Sequence, residues 1–415
     1  MPYRDPHPID GATAQQLWER ADRALPGGGV YLTRSADLAG RGVLPGFIAA
    51  ASGAHVTDVD GRRYIDYLGA NGPNILGYRH PEVEAAAERV RASITTASIF
   101  PPQLVEVVER LLATWTDMHW GVVAKNGSEV VSLGARVARQ HTGRTQVVAF
   151  THAYHGNDPE LAARPPAGPL TDLTSDVMRI PWNDAQQLAD TLTARGDDIA
   201  AILLNPIDQR PLVRTTSASD DVLAVIRAAR ERFGTLLVFD DVRHGLRMHP
   251  QGTHRLLGLE PDLIALGKAL GNGYAISAVL GAEELRTAAR QIMFTSTYMF
   301  EVPPMVAAMT TLDVYERDDV FDRITLAGTR LRDGLLQAAE TAGHDISISG
   351  PVTMPTLLFH NDPEAMRVRT FARAAAEHGA ILHPLLNWNL SAAHTIDVID
   401  ATIDIAATAF EAVET

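Results

Sequence analysis

Two runs of apolar side chains, each stopping at a charge, limit what this chain can fold into more than any other feature. The first, Thr235 to Phe239 (TLLVF), is followed by Asp240 and Asp241. The second, Leu263 to Gly267 (LIALG), is followed by Lys268 and a loop carrying Gly271 and Gly273. An uninterrupted apolar run of this length suits a strand covered on both faces, as in the parallel sheet of an α/β protein. Open sheets of that kind place their ligands at strand ends. A lysine at such an end must either reach water or lose its charge, and an amine held in an apolar site is a nucleophile toward carbonyl groups. A buried carboxylate at such an end favours the protonated form of a base facing it, a role that suits Asp240. The second carboxylate of the pair suits the cap of a following helix.

Further buried strands are expected at Gly121 to Ala124, Thr145 to Phe150 and Ile199 to Pro206, alternating with helical patterns, so the class is α/β. A short amphipathic helix is expected over Ala12 to Ala24, broken by the proline and glycines of residues 25–35. His55 to Tyr67 alternates about Asp60-Gly61 and reads as a hairpin. Two helices are expected between Pro81 and Leu112, interrupted at Pro101-Pro102, and an amphipathic helix over Thr395 to Ala412. Residues 157–181, rich in proline, read as a surface loop. With 415 residues, 46% of them hydrophobic, the chain can bury a large core in two domains. A net charge of −14 disfavours nucleic acid or an anionic membrane as partner, and the lack of cysteine excludes disulfides and thiolate chemistry. The N-terminus has no apolar h-region and no segment is long and apolar enough to span a bilayer, so a cytoplasmic enzyme is expected.

Two further stretches carry chemistry. Lys125-Asn-Gly-Ser128-Glu lies between a strand and a helix running to about His141. Its glycine allows close backbone approach, its hydroxyl donates, and the helix N-terminus presents free N–H groups, which together suit a phosphate cradle, while serine and glutamate before an apolar helix also read as an ordinary N-cap. Thr151-His-Ala-Tyr154-His-Gly places an aromatic face at a strand end. His152, His155 and Asp158 recur every three residues, but Gly156 and Pro159 break the helix that would align them, so no metal site is expected.

FDDVRHGLR and PDLIALGKALGNGY resemble the FDEV-x-x-G-F-R and PDL-x-x-x-GK-x-x-G-x-G motifs of the class III aminotransferases, in the branch near glutamate-1-semialdehyde aminomutase. The resemblance runs over nearly the whole chain. It implies fold type I: a large domain with a mostly parallel sheet binding pyridoxal phosphate (PLP), and a smaller α+β domain from both chain ends. The divisions expected are 1–72, 73–318 and 319–415. It also implies a Lys268 aldimine with PLP, Asp240 on the ring nitrogen, Val242 against one ring face and Tyr154 over it. Gly127 and Ser128 match the cradle run NSGTEA, whereas Lys125, Asn126 and Val130 depart from it. Thr297, in TSTYMFEVPP, matches a threonine that reaches the partner's phosphate across a homodimer interface. Arg34, eight residues after Pro26, matches an arginine near the substrate and is a candidate for its carboxylate. Asn205 replaces the usual strand-end glutamate, and Asp208 or Gln209 is left to bond the ring hydroxyl.

The activity implied is amino transfer between an amino acid or related amine and a keto or aldehyde acceptor. The alternative is an aminomutase or amino-acid racemase using the same site, and a non-catalytic PLP-binding protein is a third reading. The glycine-rich lid of the aminomutase is not recognisable in residues 157–181, which favours transfer.

Overall fold

The computed structural model describes residues 13–26, 42–161, 176–208 and 210–414. The chain forms two compact units, one from Pro81–Asp208 and Thr216–Phe321, the other from both chain ends together with residues 209–215. No helix among the described residues is long and apolar enough to cross a membrane.

The larger unit is built on a seven-stranded sheet. Its strands in chain order are β1 (Trp120–Ala124), β2 (Gln146–Phe150), β3 (Val177–Ile180), β4 (Ile199–Leu204), β5 (Leu236–Asp240), β6 (Leu263–Leu266) and β7 (Ser277–Gly281). The spatial order is β1-β7-β6-β5-β4-β2-β3. Only β7 runs antiparallel to its neighbours, β6 and β1. β2, β4, β6 and β7 are buried at every residue, which the unbroken apolar runs anticipate. The helix Gly127–Thr142, here α1, follows β1 and buries Val130, Val131, Leu133, Val137 and Ala138 in the same core as Val238, Leu263 and Val279. Gly134 permits that approach, since a Cβ there would lie 2.9 Å from Val238 Cγ1. Six of these strands share one direction, so the C-terminal ends of β5 and β6 lie side by side.

β3 corrects the sequence reading of 157–181 as loop. Its four residues pair in parallel with β2, from Val147↔Val177 to Phe150↔Ile180. The first of the expected helices ends at Arg91 and the second begins at Pro102 with proline at its first turn, so ten residues of non-helical chain separate them.

The smaller unit holds a four-stranded sheet in the order Ile48–Ser52, His55–Asp58, Arg63–Asp66, Ala380–Ile381. The hairpin expected about Asp60-Gly61 is present, pairing Val56 with Tyr64. Asp58 fixes its turn by accepting the N–H groups of Asp60 and Arg62 at 3.0 and 2.8 Å, and Gly61 supplies a φ of 84°. The helices Val320–Thr341, Met366–Glu377 and Ile396–Glu411 complete the unit with the hairpin Ile346–Ser349/Thr356–Phe359.

Candidate active site

Asp240 ends β5 opposite Ala265 of β6, and Lys268 follows β6 by two residues. Carboxylate and amine therefore rise from adjacent strand ends. Gly267 is extended, and Lys268 then takes a left-handed φ of 43° to open a short 3-10 turn, Lys268–Gly271. That backbone conformation is strained for a residue with a side chain.

Asp240 is 6% exposed. Its Oδ2 lies 2.8 Å from Nδ1 of His155, and its Oδ1 accepts the Val242 N–H at 3.2 Å. An ionised carboxylate can only accept, so the proton sits on Nδ1 of His155. His155 is 1% exposed, and its Nε2 is buried with no hydrogen-bond partner among the described residues. The sequence reading considered this histidine only as a metal ligand. Its role depends on a contact between two separate loops, and its one local sign is its place between Tyr154 and Gly156.

The cradle forms at the start of α1. Asn126 caps the helix by accepting the Glu129 N–H at 3.1 Å, while Glu129 Oε2 accepts the N–H groups of Lys125 and Asn126 at 2.9 and 3.0 Å. This capping box leaves the Gly127 and Ser128 amides unclaimed by the helix and directed outward. The loop is held from two further sides. Ser277 Oγ donates to the Asn126 carbonyl at 2.9 Å, and Ser128 Oγ accepts the Asn157 N–H at 2.9 Å. Val242 packs over the cradle so closely that a Cβ on Gly127 would fall 2.7 Å from Val242 Cγ1, and one on Gly267 3.2 Å from it. A continuous set of contacts thus runs from Ser128 through residues 156 and 157 to His155, Asp240, Val242 and the turn at Lys268.

Other expected residues stand apart from this set or outside it. Tyr154 is 61% exposed, its hydroxyl donating to Asn157 Oδ1 at 3.1 Å. Thr297 is exposed on the segment before the helix Val302–Arg317, here α2. Arg34 and Gln209 lie outside the described residues. Asp208 is buried in a two-residue strand paired with Thr216–Ser217. Asn205 turns its amide back to the Ile207 carbonyl at 2.5 Å. Asp241 caps no helix; it is buried and accepts the Thr253 N–H at 2.9 Å, and burial pushes its carboxyl up to about 6. Beside Val242, burial lowers the Arg243 guanidinium to about 10, and burial followed by repulsion from Arg243 and Lys268 holds His244 well below its ordinary value. Of His152, His155 and Asp158, which recur every three residues, His155 meets Asp240 and Asp158 accepts from Ser132 Oγ at 2.7 Å.

These residues fit PLP. The outward amides of Gly127 and Ser128 suit its phosphate, the Asp240 carboxylate its ring nitrogen, and the Lys268 amine its aldehyde. Fold and site together define a PLP-dependent enzyme of fold type I. The chain belongs to the class-III aminotransferases, whose pattern matches residues 39–413. It is 36% identical over 404 residues to the aminopentol aminotransferase of Sphingopyxis macrogoltabida, covering 97% of this chain and 95% of that one. It is 31% identical over 417 residues to the glutamate-1-semialdehyde 2,1-aminomutase of Symbiobacterium thermophilum, with 94% and 95% covered. Among solved structures, the PLP internal aldimine form of the FumI protein from Sphingopyxis sp. MTA144 superposes with a TM-score of 0.91 at 35% identity, covering 96% of each chain.

Proposed function

We propose that the enzyme moves an amino group from an amino acid or related amine to a keto or aldehyde acceptor, and that the residues named above do the work. The observation that carries this reading is the placement of Lys268 and Asp240 on adjacent strand ends, with His155 behind the carboxylate. PLP, when bound, supplies an aldehyde for the amine and a ring that spreads the negative charge left by a departing proton. Lys268 Nζ takes that proton from the amine-bearing carbon of the substrate and returns it elsewhere. Asp240, held in place by His155 Nδ1 and the Val242 N–H, favours a protonated ring nitrogen facing it. Gly127 and Ser128 hold the phosphate, Val242 and Tyr154 take the two ring faces, and Arg34 binds a substrate carboxylate.

Transfer is favoured over isomerisation by the 36% identity to an aminotransferase, against 31% and 30% for the aminomutases. We also read the active form as a homodimer. Ile99, Phe100 and Tyr298 are 81%, 73% and 62% exposed, and Phe100 meets Phe300 two residues from Tyr298, an apolar surface that suits a second copy of the chain.

The test is to mix PLP-loaded enzyme with an amino donor and no acceptor. One equivalent of carbonyl product per site, with turnover then halted, is expected. Sustained isomerisation or racemisation without acceptor would replace transfer with the isomerase reading. Borohydride reduction followed by peptide mapping should place the pyridoxyl label on Lys268.

A further inference from the structure

Lys125 departs from the family's cradle run, and the structure gives it a specific use. Its backbone belongs to the cradle, where its N–H is held by Glu129 Oε2 at 2.9 Å. Its side chain leaves the cradle, and Nζ lies 3.0 Å from Glu301 Oε2, the two side chains being 15% and 32% exposed. Glu301 is the N-cap residue of α2, yet its side chain makes no capping bond and is free to serve the lysine. Four residues earlier comes Thr297. The chain between them is clamped to residues 95–97: Ala97 N–H donates to the Phe300 carbonyl at 3.2 Å, Val302 N–H to the Thr95 carbonyl at 2.9 Å, and Thr96 bridges Glu301. Phe100 and Phe300 meet edge to face at 5.2 Å. The surface formed by Ile99, Phe100, Tyr298 and Thr297 is therefore tethered to the cradle by one ion pair.

We propose that Lys125, through Glu301, positions the segment bearing Thr297 for the cofactor phosphate of the other subunit. Each subunit's grip on its cofactor then depends on a lysine of its neighbour. This rests on the homodimer reading above. Lys125 is a positioning residue and touches no substrate: with its charge neutralised by Glu301, it acts by fixing where the 295–301 segment stands. A half-buried pair of this kind shifts an equilibrium about fivefold.

Hybrid dimers test the direction of the effect, read as the rate of PLP release. Each hybrid has one subunit with Lys268→Ala, so that one site alone retains covalent cofactor. In the first hybrid Lys125→Met lies in the subunit that retains PLP; in the second it lies in the Lys268→Ala subunit opposite. The second hybrid should release PLP about fivefold faster than a Lys268→Ala/wild-type control, with the first close to control. Restoring the pair in reversed order, Lys125→Glu with Glu301→Lys, should slow the release again, which a merely misfolded cradle would not do. Faster release from the first hybrid alone, equal release from both, or no rescue by the reversed pair overturns the proposal. A chain that stays monomeric yields no hybrids and sinks the dimer reading on which the proposal stands, a result distinct from hybrids that form and do not differ.

Discussion

Replacing His155 by leucine removes the N–H that reaches Asp240 Oδ2 at 2.8 Å and leaves that carboxylate with the Val242 N–H as its other described donor. A hydrogen bond to a buried charged group contributes about 1.5–3 kcal/mol, a factor of roughly 10 to 150 in an equilibrium constant. Asp240 then holds the ring nitrogen's proton less effectively, and kcat should fall about tenfold to a hundredfold. His155 lies behind Asp240 rather than facing substrate, so KM for the amino donor should stay within about twofold of wild type. The assay is steady-state kinetics at saturating PLP for wild type, His155→Leu and His155→Asn. The asparagine amide places an N–H close to the position of Nδ1 and should recover most of the lost rate. Wild-type kcat in His155→Leu, or an asparagine variant as impaired as the leucine one, refutes the donor argument.

Asp240→Asn should keep PLP bound yet lose most activity, because an amide cannot hold the ring nitrogen protonated; kcat near wild type would remove Asp240 from that role. Gly127→Ala puts a methyl 2.7 Å from Val242 Cγ1 and should weaken PLP binding about tenfold by fluorescence titration, with Val242→Ala restoring it in the double variant. Asp241 tests pH linkage: burial raises its folded carboxyl to about 6 from 3.8, so the folded chain binds the proton more tightly. Its contribution to stability therefore falls as pH rises from about 4 to about 6, by roughly 3 kcal/mol in all. Asp241→Asn should melt higher than wild type at pH 8 and close to it at pH 4; equal melting at both pH values would contradict this.

The parts of the fold legible in the sequence are those set by local pattern. β5 and β6 announce themselves because each is an apolar run, buried in all but Leu236, that ends at a charge, so Asp240 and Lys268 are each legible as strand-end groups, while their adjacency comes from the pairing of the two strands. The hairpin at 55–66 was legible because Asp-Gly specifies its turn and Asp58 secures it. β3 was not, because Arg179 interrupts its apolar run and pairing with β2 is what makes it a strand. His155 escaped notice for a related reason. Its partner is Asp240, brought near by the sheet, and nothing in the residues around His155 points to a carboxylate. Asp241 failed as a helix cap because turns, not a helix, follow β5, and its acceptor went to Thr253 instead.

The left-handed backbone at Lys268 has a meaning for descent. A φ of 43° costs any residue with a Cβ about 1 kcal/mol or more, and that cost persists whether or not the amine is in use. While catalysis is selected, the lysine stays in spite of it. In a lineage that kept the fold but abandoned the chemistry, nothing would retain lysine there and the backbone itself would choose the successor. Glycine and asparagine tolerate this conformation best, as Asn272 does at the same φ of 43° four residues on. A retired relative should thus carry glycine or asparagine at this position, and one bearing alanine or leucine there should have rebuilt the turn.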